Sequence, residues 1–189
     1  MNRHLLDKIN AIVPLSEAEE GSLKDYWKEK TLKKGARLLT NGAVCRTDNY
    51  VVEGALKAYY INSETGSEEI LFFAIEDWWA SDLVSFQKQI PSIYNIEAVE
   101  DCKLLQITYD SFEKMVKEIP KLERFFRIIL EGYLGTLQRK IIINQVYDAK
   151  HRYLDFLKQY PLIAKRFPNY LIASYLNVSP EFLSRIRKN

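Results

Sequence analysis

The sequence predicts an α+β chain: a closed or double-sheet antiparallel barrel with flanking helices, then a long helix, then a small helical module. Three observations predict it. Between residues 36 and 107, short β-rich runs alternate with turn signals at spacings of roughly ten residues. After Asp110 the pattern becomes helical and carries apolar residues on two faces. Residues 170–186 read as two short helices around a tight turn.

Taken in order, residues 2–13 and 16–30 read as two short helices. Ser16-Glu17-Ala18-Glu19, after Pro14, is a capping box, and the periodic segment it opens runs through Leu23 and Trp27. Strands are expected at 36–40, 49–52, 55–62, 68–74, 94–99 and 102–107. Turns fall at Asn41-Gly42, Glu53-Gly54 and the run from Ser63 to Ser67. Residues 81–86 interrupt the barrel as a single helical turn, and residues 87–92 follow as a loop. The helical pattern then holds to about Tyr160, with Pro120 at a helix start and Pro161 at a stop.

Within the segment 121–147, Leu122, Phe126, Ile129, Tyr133, Thr136, Lys140, Ile143 and Tyr147 fall on one face, and Leu130, Leu134, Leu137 and Ile141 on its neighbour. A helix apolar on two faces needs two partners. One partner is expected to be the barrel of the same chain and the other the same helix of a second copy, with Ile129, Tyr133, Thr136 and Ile143 as the homodimer seam.

Composition narrows the function. The 189 residues are 47% hydrophobic and carry a net charge of +2, enough for one core and a small satellite unit. The charge is uneven: residues 150–189 carry +6, leaving −4 on the rest, as expected of a phosphate-binding end on an acidic body. No run of eighteen apolar residues and no secretory leader is present, so a cytoplasmic protein without membrane partners is expected. Cys45 and Cys102 are too far apart for a C-x-x-C site, and buried thiols are the expectation. His4 and His151 complete no metal or catalytic constellation, so an enzyme is not expected.

The last segment carries the most specific chemistry. From Tyr170 to Ile186, Ala173 lets two helices approach, Asn177 tolerates a left-handed turn, Ser179 caps the second helix and Pro180 fits its first position. Leu176, Val178, Leu183 and Ile186 lock the pair. Glu181 and Arg185, one turn apart, then face outward: Arg can grip guanine and Glu can accept from cytosine in a major groove. Ser179, Ser184, Arg187 and Lys188 suit phosphate contacts.

The segment Val178-Ser179-Pro180-Glu181-Phe182-Leu183-Ser184-Arg185-Ile186 is similar to the recognition-helix signature of the cyclic-AMP receptor protein/Fnr family. The run from Asn49 to Tyr60, with Glu53-Gly54 at its turn, resembles that family's strand-turn-strand. The resemblance covers nearly the whole chain in order. It implies a cyclic-nucleotide-binding-like double-stranded β-roll over 1–120, a dimerisation helix over 121–147 and a helix-turn-helix over 148–189. It further implies a homodimeric transcription regulator bound to a double-stranded DNA operator, with RNA polymerase a further candidate partner.

Two departures qualify what the resemblance implies. The family holds a cyclic nucleotide with glycines, a Glu and an Arg. Here Asp82 stands for the Glu, Ser92 falls where the Arg is expected, and no glycine occurs from residue 67 to residue 131. Cyclic AMP is therefore not the expected effector. No cofactor is assigned, and the place for a small-molecule effector is the roll interior at Phe72, Ala80, Ser81, Asp82, Leu83, Ser92 and Tyr94, closed by Leu137 and Gln138. Trp78-Trp79 are expected to divide between surface and core. Second, the sequence ends at Asn189 inside the recognition helix and residues 162–169 are short for wing strands, so a minimal module is expected. The alternative is a sensor module that no longer binds DNA.

Overall fold

Among residues 3–188, which the computed structural model describes, seven strands form two antiparallel sheets. The chain enters through α1 (Arg3–Ile12) and α2 (Glu17–Leu23), the latter opened by the Ser16/Glu19 capping box. A 3-10 turn, Lys24–Tyr26, leads to β1 (Lys28–Leu32). The expected helix over 16–30 is thus cut at Leu23. The Lys-Glu-Lys-Thr-Leu stretch is solvent-facing except at Leu32, so it lacks strand alternation, and it becomes a strand only by pairing along its whole length with β7.

The other strands are β2 (Arg37–Leu39), β3 (Thr47–Glu53), β4 (Leu56–Ile61), β5 (Glu68–Ala74), β6 (Asn95–Ala98) and β7 (Cys102–Thr108). One sheet has the order β1-β7-β3 and the other β2-β6-β4-β5, which leaves β5 on an edge. Their facing sides bury Val51, Leu56, Ala58, Ile96 and Leu104 in one cluster. The β3–β4 turn requires Gly54: its φ is +100°, and a Cβ there would stand 2.4 Å from the Asp101 carbonyl oxygen.

The helical tail is segmented. α4 (Tyr109–Glu118) ends before Pro120, α5 (Leu122–Val146) runs for 25 residues, and Tyr147-Asp148 separates it from α6 (Ala149–Gln159). Pro161 does not simply stop a helix. It also opens α7 (Pro161–Arg166), because the missing N–H of a first-turn proline needs no partner. The last elements are α8 (Asn169–Tyr175) and α9 (Pro180–Lys188). Three clusters hold these parts: α1, α2, α4 and the start of α5 around Tyr50 and Ile107; the roll interior; and α6–α9 against Tyr59, Ile70 and Phe73 of the roll.

Candidate functional site

α8 and α9 are joined through Asn177, whose φ of 53° is left-handed, as the turn requires. The Ser179 hydroxyl accepts from the Phe182 N–H at 3.1 Å, and Pro180 opens α9. Ala173 and Leu183 are fully buried, and Leu176, Val178 and Ile186 close the same cluster. Burying those residues turns the opposite side of α9 outward: Ser179, Glu181, Ser184 and Arg185 are all exposed. The Arg185 guanidinium lies 5.8 Å from the Phe182 ring, which limits its rotamers. Glu181 is held below the usual carboxylate range by its own backbone N–H, then by Ser179 and the nearby Arg185 charge. The side chains of Arg187 and Lys188 lie outside the described residues.

In the roll, Asp82 caps α3 (Leu83–Lys88) by accepting from the N–H groups of Val84 and Ser85, both at 3.1 Å. Ser92 donates to the other Asp82 oxygen at 2.8 Å, and the Tyr94 hydroxyl donates to the Ser81 carbonyl at 3.3 Å. The Ser81 hydroxyl donates to buried Asp48 at 2.5 Å. Phe72 meets Tyr94 edge to face at 6.2 Å. The structure thus brings Phe72, Ser81, Asp82, Ser92 and Tyr94 together, with fully buried Ala80 and half-buried Leu83 beside them. These groups satisfy one another. Trp78 and Trp79 divide as expected: Trp79 packs among Trp27, Tyr50 and Phe126, while Trp78 is 37% exposed against Tyr160.

Gln138 does not close this cluster. It is exposed and lines a recess between α5 and α6 with Gly135, Arg139 and Ile142, while Leu137 is half-buried. Nearer the cluster is Tyr133, whose phenol is raised by burial and by Asp82.

The expected seam residues differ in their surroundings within one chain. Ile129 packs on the N-terminal cluster of its own chain, Tyr133 lies near Asp82, and Thr136 and Ile143 line a crevice with Lys140 and Tyr175. Its own chain covers this stripe only in part: Ile129 and Ile143 are half-buried, while Tyr133 is 41% exposed and Thr136 is exposed. On the neighbouring stripe Leu130, Leu134 and Ile141 are exposed by 41, 55 and 56%. Periodicity shows two stripes but not which neighbour each meets.

Three residues escaped the sequence reading. Lys140 donates to the Leu71 carbonyl at 3.1 Å and sits 3.7 Å from the Tyr175 ring centre, with burial holding it down at about 8. Ser174 bonds the edge of β5. Arg166, counted above with the basic surface, is instead paired with Glu76 and Glu100.

Residues 29–118 match the cyclic nucleotide-binding domain family. No curated protein sequence matches the chain significantly. Among solved structures, FixK2 from Bradyrhizobium japonicum is similar at 18% identity and a TM-score of 0.73, over 86% of this chain and 83% of that one. The c-di-GMP responsive regulator CLP of Xanthomonas campestris is similar at 14% identity and a TM-score of 0.72, over 92% and 90%. Thermus thermophilus Catabolite Activator Protein is similar at 17% identity and a TM-score of 0.59, over 94% and 84%. Residues 29–118 are therefore similar to a cyclic nucleotide-binding domain, in a chain whose fold is that of these solved regulators.

Proposed function

We propose that the chain is a homodimeric regulator of transcription that reads an operator with α9. The observation that carries this reading is the α8–α9 pair: a left-handed Asn177, a capped second helix and an outward face bearing Glu181, Ser184 and Arg185. One such helix covers only a few base pairs, so useful affinity needs two. The stripe of exposed Leu130, Leu134 and Ile141, with half-buried Leu137, supports a parallel helix pair, which would place two α9 helices on one side of a duplex. Arg185 reads a base, while Ser179 and Ser184 contact phosphates.

The effector place is the Phe72, Asp82, Ser92 and Tyr94 cluster beneath Tyr133, and the effector is neither cyclic AMP nor cyclic GMP. Ser92 offers no fork to a phosphate, and the Asp82 oxygens are already taken by Val84, Ser85 and Ser92. Calorimetry with cyclic AMP and cyclic GMP is expected to show binding weaker than about 100 μM. Micromolar binding of either would contradict this assignment.

Selection of bound duplexes from a randomised pool tests the main reading. The expected product is a two-fold symmetric site with half-sites about 10 base pairs apart. A pool that shows no enrichment, with the chain folded and dimeric, favours a sensor module that does not bind DNA.

A further inference from the structure

The C-terminal helices are not merely strung on the Tyr147-Asp148 bend; they are fastened to the sheet of their own chain. Arg166, the last residue of α7, reaches two carboxylates at once. Its Nη1 donates to Glu76 Oε2 at 2.5 Å and its Nη2 to Glu76 Oε1 at 3.0 Å. Its Nε donates to Glu100 Oε1 at 3.1 Å and its Nη2 also to Glu100 Oε2 at 2.6 Å. Beside this fork, the Ser174 hydroxyl of α8 accepts from the Ile70 N–H at 3.0 Å and donates to the Glu68 carbonyl at 2.8 Å, closing the free edge of β5. Phe73 of β5 packs on Phe167 and Tyr175, with ring centres 4.2 and 5.4 Å away.

These contacts differ in kind from those at the bend. A guanidinium held by two carboxylates through four hydrogen bonds has a fixed direction as well as an attraction, and removing it strands two half-buried acids. Burial alone would raise the Glu76 carboxyl, yet the Arg166 fork and the Gly54 N–H hold it below its ordinary value. At the bend, by contrast, Tyr147 and Asp148 are exposed, and Asp148 caps α6 and meets the His151 ring nitrogen within that same helix.

We propose that Arg166 between Glu76 and Glu100, with Ser174 on the β5 edge, forms a latch that makes the roll and the C-terminal helices one rigid body within each chain. The reading face of α9 stays exposed while the latch is shut. The consequence for DNA rests on the proposed function: while the latch is shut, α9 is aimed by the roll of its own chain. The latch itself is a property of the chain without DNA.

Amide hydrogen exchange on the full chain tests it. Arg166→Met is expected to lower protection across residues 163–176 by about tenfold or more while leaving residues 104–107 of β7 unchanged. Arg166→Lys, which keeps the charge without the fork, should fall between. Glu100→Gln removes one arm only and should lower protection of residues 163–176 by a few-fold. Unchanged protection in Arg166→Met and Glu100→Gln would overturn the proposal, as would an equal fall in residues 163–176 and 104–107, which marks a general loss of stability. A latch seen by exchange in a chain that binds no DNA would leave the latch standing and sink the reading of α9 instead.

Discussion

At Asp48 the chain keeps a carboxyl where water barely reaches it, in contact with the Ser81 hydroxyl and the Asn49 N–H. Burial pushes it up to about 6, and those two hydrogen bonds only partly offset the rise. The unfolded chain releases this proton near the ordinary 3.8, before the folded chain does. Stability should therefore fall as pH rises from about 4 to about 6 and level off above, where the buried charge costs up to about 3 kcal/mol. Asp48→Asn, whose side-chain oxygen still accepts from Ser81, should gain stability at pH 7 and lose that advantage near pH 4. Denaturant unfolding at the two pH values checks this, and an advantage independent of pH would contradict it. At the same scale, some roles were legible in the sequence and others were not. Asn177 and Ser179 act on backbone groups within three residues, so their type and position reveal the turn. Arg166 acts on Glu76 and Glu100, 90 and 66 residues away, and nothing local distinguishes it from an arginine that awaits phosphate.

Elements were legible where their pattern is internal and opaque where a neighbour decides. The strands from β2 to β7 are short β-rich runs bounded by turns, and the structure has them close to where the pattern puts them. β1 is exposed at four of five positions and exists because β7 offers an edge. On α5 both stripes could be read, but only packing shows that Ile129 lies on the N-terminal cluster of its own chain, while Leu130, Leu134 and Ile141 stay exposed. The two stripes should then respond differently to charge. Leu134→Glu with Ile141→Glu is expected to give a folded monomer by light scattering, because the charges fall on a seam and not in a core. Ile129→Glu should instead lower the unfolding midpoint by burying a charge against the N-terminal cluster, a cost of about 1–3 kcal/mol. A dimer that survives the first pair of changes would contradict the seam.

At the scale of the molecule, the order of roll, long helix and terminal pair was legible because each part has its own period and turn chemistry. The charge asymmetry was legible too, but its meaning was only partly so. One cation of the basic segment, Arg166, fastens the module to the acidic roll, and Arg139 of α5 pairs with Asp155 of α6. The face proposed to read DNA is the outer side of α9 with its exposed Glu181, Ser184 and Arg185. The most direct test of the account compares the chain with Arg185→Ala by fluorescence anisotropy on a selected duplex and on an unrelated one, across a salt series. The account predicts that the change weakens the selected duplex by about 5- to 150-fold, corresponding to 1–3 kcal/mol, and leaves the unrelated duplex within a few-fold. Equal losses on both duplexes, or no binding by the unmodified dimer at about 50 mM salt, would contradict it.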